Sequence, residues 1–463
     1  MSTSENPNKI SRRQLGIRVG QVAAATALSG MVIPAVHAAG DSNVQVALVG
    51  CGGRGTGAAT DALKAKGVNP RLVAMADAFQ DRLDSSHKRL TGGDADVADK
   101  VKVPKDQQFI GWDAYKHALD CLRPGDVAIF ATPLAFRPVH FAYAIEKKLN
   151  VFMEKPLSAD GASSRTLLKL AEEASAKNLK VGVGLMSRHA RHLQELNKRI
   201  TDGEIGDIVL MRGYRCHTPV GSMRTTPKPA TMSELEFQIR RFHSFLWASG
   251  GCFSDFNIHI IDHLCWMKNA WPVKAMGVGG RMYKTAEDGT PYVDQNFDSY
   301  GIEYTFADGA KLMFDGRYID NGQTVYHSFI HGTKGSAIAS KSGDCGQPAS
   351  IHKGQLATPE TQTWKSNDHT SPYQNEWNDL MDAILQDKPY NEVKRGVEAS
   401  LVTSMGRMAA HTGLEITFDQ MLNSDHEFAP GLANLTKDSP APLTADAKGM
   451  YPRPEPGKKK REY

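Results

Sequence analysis

The sequence contains no C-x-x-C pair. Its six cysteines, Cys51, Cys121, Cys216, Cys252, Cys265 and Cys345, are scattered, which argues against a disulfide framework or a zinc knuckle. Net charge is small, +4 over 463 residues. The one basic run, 458–461, ends a stretch rich in Pro, Lys and Gly, so it reads as a solvated tail and nothing argues for nucleic acid. Long apolar runs are also missing. Residues 22–36 are too short and too rich in Ala and Gly for a membrane span. What remains is the composition of an ordinary soluble globular protein, long enough for two or three domains.

The first 39 residues read as a leader rather than as fold. Ser11-Arg12-Arg13-Gln14-Leu15 is a twin-arginine pattern, the apolar run follows, and Val36-His37-Ala38 ends in a small residue suited to cleavage near Ala38 or Ala39. The expectation is export through the twin-arginine machinery, as a folded protein already holding a cofactor, to the periplasm or an equivalent outside location.

Residues 43–49 read as a buried strand running into Gly50-Cys51-Gly52-Gly53-Arg54-Gly55. A helical pattern follows over 56–66. This G-x-G-x-x-G lies between strand and helix, where glycines let the backbone approach a pyrophosphate at a helix N-terminus. A second strand, 71–76, ends in Asp77, about 20 residues past the loop, where a carboxylate accepts hydrogen bonds from an adenosine ribose. Asp77 favours NAD, since it would repel a 2′-phosphate; Arg82 nearby leaves NADP open. Strands at 127–131, 151–153 and 181–185 alternate with helices at 113–121, 141–148 (His140 at its start) and 161–177. That alternation predicts a doubly wound parallel sheet over 43–185. Beyond it comes a helix at 190–201. Strands follow near 208–214, 273–281, 298–306, 311–316, 324–331 and 335–339 without intervening helices, punctuated by Asp308-Gly309 and Asp315-Gly316. They predict a second, α+β domain over 186–420 with a large, mostly antiparallel sheet. Helices at 377–386 and 396–411 would pack back on it, and 438–463 would be an extended tail.

Two stretches carry chemistry. Strand 151–153 stops at Glu154-Lys155-Pro156, because Pro156 has no N–H to continue a ladder. That delivers a lysine to the carboxyl end of a parallel strand, where ligands bind; alone, it could equally be an ordinary ion-paired strand end. After Gly250-Gly251, a helix spaces Asp255, His259, Asp262 and His263 at i, i+4, i+7 and i+8, beside an apolar stripe of Phe256, Ile260, Leu264 and Met267. Such a helix is expected to be half buried, with Asp255 orienting His259 for proton transfer. Satisfied polar residues at a domain interface, or zinc held by Asp255, His259 and His263, are the alternatives.

The glycine loop, Glu154-Lys155-Pro156 and Asp255-x-x-x-His259 together resemble the Gfo/Idh/MocA oxidoreductases over most of 43–420. The resemblance implies a Rossmann domain and an open antiparallel sheet that often mediates homo-oligomers. It also implies hydride transfer between nicotinamide and a hydroxyl-bearing carbon of a sugar, glycoside or cyclitol. Lys155 would hold the reacting hydroxyl, His259 would be the general acid/base and Asp255 its partner. Thr132, Pro133, His140 and Glu154 would line the nicotinamide side. Arg188, His189, Tyr214, Arg240 and Trp247 are substrate-side candidates, and the added segment 218–245 would cover the pocket. Two positions depart from the pattern: Asn257 replaces the usual glycine after the helix aspartate, and only Gly250-Gly251 precedes the helix. A redox-neutral glycosidase that recycles its NAD, and a non-catalytic sugar-binding protein, are the other readings of this fold.

Overall fold

Residues 42–346 and 348–463 are described by a computed structural model; the expected leader lies outside the described residues. Strands β1 (Asn43–Val49), β2 (Asn69–Asp77), β3 (Gln108–Ile110), β4 (Val127–Phe130), β5 (Asn150–Met153) and β6 (Val181–Val183) form one sheet in the order β3-β2-β1-β4-β5-β6. Every pairing in it is parallel. β4 and β5 are buried at every position, which is why they read as continuous apolar runs rather than as alternation. The strand order reverses between β1 and β4, so the crevice for a ligand opens at their carboxyl ends. The helix after the glycine loop, Gly53–Leu63, starts earlier than its periodicity suggests, because the loop's second half is its first turn.

A second sheet of nine strands takes the order β14-β13-β12-β11-β7-β10-β9-β8-β15. It comprises β7 (Ile208–His217), β8 (Lys274–Gly280), β9 (Ser299–Thr305), β10 (Lys311–Tyr318), β11 (Val325–Gly332), β12 (Gly335–Ser340), β13 (Ser350–Lys353), β14 (Gln362–Lys365) and β15 (Ile416–Thr417). Only β7 and β10 pair in parallel; the other neighbours are antiparallel. Burial alternates along β9 and β10, so one face packs on the core and the other is open. The expected pair, a parallel doubly wound sheet and a mostly antiparallel sheet, is therefore what forms. The unanticipated helix Gln80–Thr91 buries only Leu83, Ser86 and Leu90, too few apolar residues to show a period.

The helix Gly251–Lys268 crosses the inner face of the second sheet. It was expected half buried and is buried nearly all round, because it packs on β7 and β10 and also against the helix Val393–Thr412. Asn257 fills the missing-glycine position: its Oδ1 accepts from the Tyr318 hydroxyl at 2.8 Å.

The end of the chain corrects another expectation. Residues 438–463 carry no helix or strand, yet they are not a solvated appendage. Glu462 is 2% exposed. Its carboxylate accepts from Arg407 Nε at 2.7 Å and Nη2 at 2.8 Å, and lies 2.8 Å from His411 Nδ1. Arg407 in turn donates to the Gly250 carbonyl at 2.8 Å and to Ser254 Oγ at 3.0 Å. The chain terminus thus ties down the start of the Gly251–Lys268 helix.

Candidate functional site

A single cleft of about 710 Å³ runs along the carboxyl ends of β1, β2, β4 and β5. One end is the glycine loop. Gly50 sits at φ +97, and a Cβ there would lie 2.6 Å from the Ala131 carbonyl carbon, so only glycine fits. Gly55 is fixed by close approach: its Cβ would overlap the Gly50 carbonyl. At Gly52 and Gly53, which line the cleft, a Cβ would meet nothing within 4 Å. Their backbone is bare toward the space a pyrophosphate needs. Asp77 accepts from the Cys51 N–H at 2.7 Å and the Phe79 N–H at 2.9 Å. Burial raises its carboxyl above the ordinary range, with those two hydrogen bonds in opposition. Arg54 lines the cleft but is already paired: Nε lies 2.8 Å from Glu154 Oε1, unaligned for a hydrogen bond, and Nη2 donates to Asp61 at 3.1 Å.

Thr132, Pro133, His140 and Glu154 line the middle. Arg137, which the sequence did not single out, organises them. It donates from Nη1 to Thr132 Oγ1 at 3.0 Å and from Nε to the Glu154 carbonyl at 3.0 Å, joining the exits of β4 and β5. Burial lowers its guanidinium to about 10. Burial, with Arg137 beside it, pushes the His140 imidazole down to about 3, so that ring is neutral.

Lys155, Asp255 and His259 meet at the far end. Lys155 Nζ donates to the Asp255 carbonyl at 2.5 Å and lies 3.6 Å from Asp255 Oδ1. Burial would raise the Asp255 carboxyl, but Lys155, a hydrogen bond from His243 and Arg215 outweigh it and hold the group at about 2. Burial, with Lys155 and Arg215 adding to it, pushes His259 well below its ordinary value; its Nδ1 is buried with no protein partner. It is a neutral imidazole in the same cleft as the Lys155 ammonium and the ionised Asp255 carboxylate.

The expected Asp255–His259 couple is absent. The Asp255 carboxylate turns toward 218–245 and takes His243 Nε2 at 3.1 Å instead. The zinc alternative is not supported: Asp255 is taken by His243, His263 Nε2 sits 2.9 Å from Ser328 Oγ, and no group of three His, Cys, Asp or Glu among the described residues is placed to hold a metal.

Four substrate-side candidates do not reach the cleft. Arg188 is spent on Asp262, with bonds at 2.7 and 2.9 Å, between the rings of Trp266 and Trp271. His189 is held by Asp379 at 2.7 Å and lies 3.2 Å from Glu392. Tyr214 lies on the open face of the sheet beside Arg212; strand parity sends its neighbour Arg215 inward instead. Trp247 is core, donating to Gln238 Oε1 at 2.9 Å. Arg240 does line the cleft, but near its Asp77 end. It binds Asp81 through both Nη atoms at 3.1 Å and covers the Phe79 ring at 3.9 Å. Gly221, Ser222 and Ile239 to His243 of 218–245 form a strap along the cleft. Arg215 and Asp344, 3.4 Å apart, complete its polar wall.

A dinucleotide-type crevice thus leads to a lysine and to a helix that carries a buried aspartate and histidine. Several known proteins are similar to this chain. Residues 193–338 match the GFO/IDH/MocA C-terminal domain. The chain is 25% identical to an inositol 2-dehydrogenase of Corynebacterium glutamicum over 193 residues, 40% of this chain and 55% of that protein. It is 22% identical to an inositol 2-dehydrogenase of Rhizobium meliloti over 323 residues, 65% of this chain and 86% of that protein. A levoglucosan dehydrogenase solved with NADH and levoglucosan superposes with a TM-score of 0.61 at 17% identity, over 82% of this chain and all of that one. The likeness to the Gfo/Idh/MocA oxidoreductases thus rests on the C-terminal-domain match over 193–338 and on relatives at 22–25% identity.

Proposed function

We propose that this protein is an NAD(P)-dependent oxidoreductase moving a hydride between nicotinamide and a hydroxyl-bearing carbon of a sugar, glycoside or cyclitol. The observation that carries this is the single cleft joining Gly50–Asp77 chemistry to Lys155, Asp255 and His259. The bare backbone at Gly52 and Gly53 fits a pyrophosphate, and Asp77 fits a ribose diol, favouring NAD over NADP. When bound, the nicotinamide would supply the hydride acceptor or donor. Lys155 holds the reacting hydroxyl and His259, neutral, takes its proton, since the carbonyl forms only if that proton leaves. The names and titles of the inositol and levoglucosan dehydrogenases support the substrate class.

The cofactor is proposed to be tightly held: Arg240 clasps the strap onto Phe79 and Asp81, two and four residues beyond Asp77. The same clasp favours a second reading, a glycosidase that oxidises, eliminates and re-reduces on one retained NAD. Export on the twin-arginine leader suits a retained cofactor, and the exposed Val209, Met276 and Val278 on the second sheet suit a homo-oligomer. The test is to purify the mature protein without added nucleotide, denature it, and identify released cofactor by absorbance and mass. NAD or NADP is expected, with turnover on sugars or glycosides afterwards; net reduction separates dehydrogenase from glycosidase. Absence of nucleotide, and of binding on titration, would leave a sugar-binding protein.

A further inference from the structure

The histidine joined to Asp255 comes from the strap rather than from the Gly251–Lys268 helix. His243 Nε2 lies 3.1 Å from Asp255 Oδ2, and the other oxygen, Oδ1, lies 3.6 Å from Lys155 Nζ. The imidazole is fixed on several sides. The Phe242 and Phe256 rings stand 3.8 and 5.2 Å from it, centroid to centroid. The His243 carbonyl accepts from Asn296 Nδ2 at 2.9 Å. Gly221, at φ +58, passes so close that a Cβ there would lie 2.6 Å from His243 Nδ1. A strap that only covered the cleft would need none of this. An ionised carboxylate only accepts, so the proton between these two groups belongs to His243 Nε2.

We propose that His243 is a positioning residue for the reaction: by donating Nε2–H to Asp255 Oδ2 it turns Oδ1 toward Lys155, so ammonium and carboxylate meet the substrate hydroxyl in a fixed orientation. The reaction balances without it. The hydroxyl proton would pass to His259, and a bound nicotinamide would accept the hydride from the carbon that bears that hydroxyl. His243 exchanges no atom. Asp255, Lys155, Arg215 and Asp344 are charged groups of this cluster, and His259 lies among them. Charge-assisted hydrogen bonds of this kind are the strong ones, so the loss is large.

The inference rests on the oxidoreductase reading, and its test separates the two. In H243F the ring remains and the donor goes; in H243Q an N–H of similar reach stays. H243F is expected to lower kcat about tenfold to a hundredfold, with KM and nucleotide Kd moving less than about threefold. H243Q should recover most of that loss. In a D255N background H243F should add less than about twofold. H243F within about twofold of the parent, equal losses in H243F and H243Q, or additivity with D255N would each overturn the proposal. A readout free of turnover keeps it falsifiable even if H243F does not fold. NMR of histidine-labelled protein as purified should show His243 protonated on Nε2, perturbed by D255N; an Nδ1–H ring, or no response, overturns the contact. Failure of the wild type to bind nucleotide would instead sink the oxidoreductase reading and leave the tautomer result standing.

Discussion

Lys155 is the residue on which the proposed chemistry depends most. Its ammonium is held between the Asp255 carbonyl and carboxylate, with the Phe256 ring 5.8 Å away, so it is ordered before substrate arrives. Lys155→Met keeps the length of the stem and removes the charge. Turnover should fall at least about a hundredfold, the low end for a lost acid–base group, while nucleotide stays bound, as checked by mass analysis of the purified variant. Unchanged activity would take catalysis away from this site. Lys155, Asp255 and His259 were legible because a proline stop and an i, i+4 spacing fix their placement locally. The substrate wall was not. On β7 the reading took Tyr214 where Arg215 faces the cleft, a one-residue parity that is set by which face of the sheet becomes core. Arg188 and His189 looked functional because they follow a strand end, but their partners Asp262, Asp379 and Glu392 come from distant segments that no local pattern connects.

At the scale of elements, the chain terminus contributes more than its composition suggests. A Pro- and Lys-rich stretch has no hydrophobic period, so nothing in it announces that Glu462 returns to the interior. The structural consequence is local and strong. Arg407 is fully buried, Glu462 is its counter-ion, and Arg407 also holds Gly250 and Ser254 at the start of the Gly251–Lys268 helix. Removing one partner of a buried pair strands the other charge, which costs about 3–5 kcal/mol. Glu462→Ala should therefore lower the thermal midpoint clearly and loosen Asp255, whereas charge reversal at the exposed Lys458 should leave the midpoint where it is. Scanning calorimetry of both variants decides it; a Glu462→Ala midpoint equal to the parent's would mean the tail is not an anchor. In the parallel sheet, β1, β2, β4, β5, β6 and the glycine loop could be read from alternation and turn chemistry, whereas the short β3 and the helix Gln80–Thr91 carry too few apolar residues to announce themselves.

For the whole molecule, the buried histidines set the response to acid. Burial pushes His140 and His263 down to about 3 and His259 and His411 below their ordinary value, so all four are neutral in the fold. An unfolded chain protonates histidine near pH 6.5. Below that point the unfolded state binds more protons than the folded one, so stability rises with pH across the window from about 3 to 6.5 and is lost on acidification. His189 acts in the opposite sense, because Asp379 and Glu392 outweigh burial and raise its imidazole. The carboxylates held at about 2, Asp255, Asp379, Glu392 and Glu462, add their own loss only once the pH nears the unfolded carboxylate range, about 4. Between pH 7 and 5 these histidines lower stability on acidification, opposed by His189 and by Glu376, whose carboxyl burial raises well above its ordinary value. His140 and His263 alone remove about 2 kcal/mol each, and a denaturant titration series should show stability falling as the pH is lowered over that interval. His263→Gln, which keeps a hydrogen-bonding group near Ser328 and deletes the titration, should flatten the slope by about 1.4 kcal/mol per pH unit below pH 6. A slope identical to the wild type would mean that His263 is already charged in the fold, with a buried cation beside Arg188.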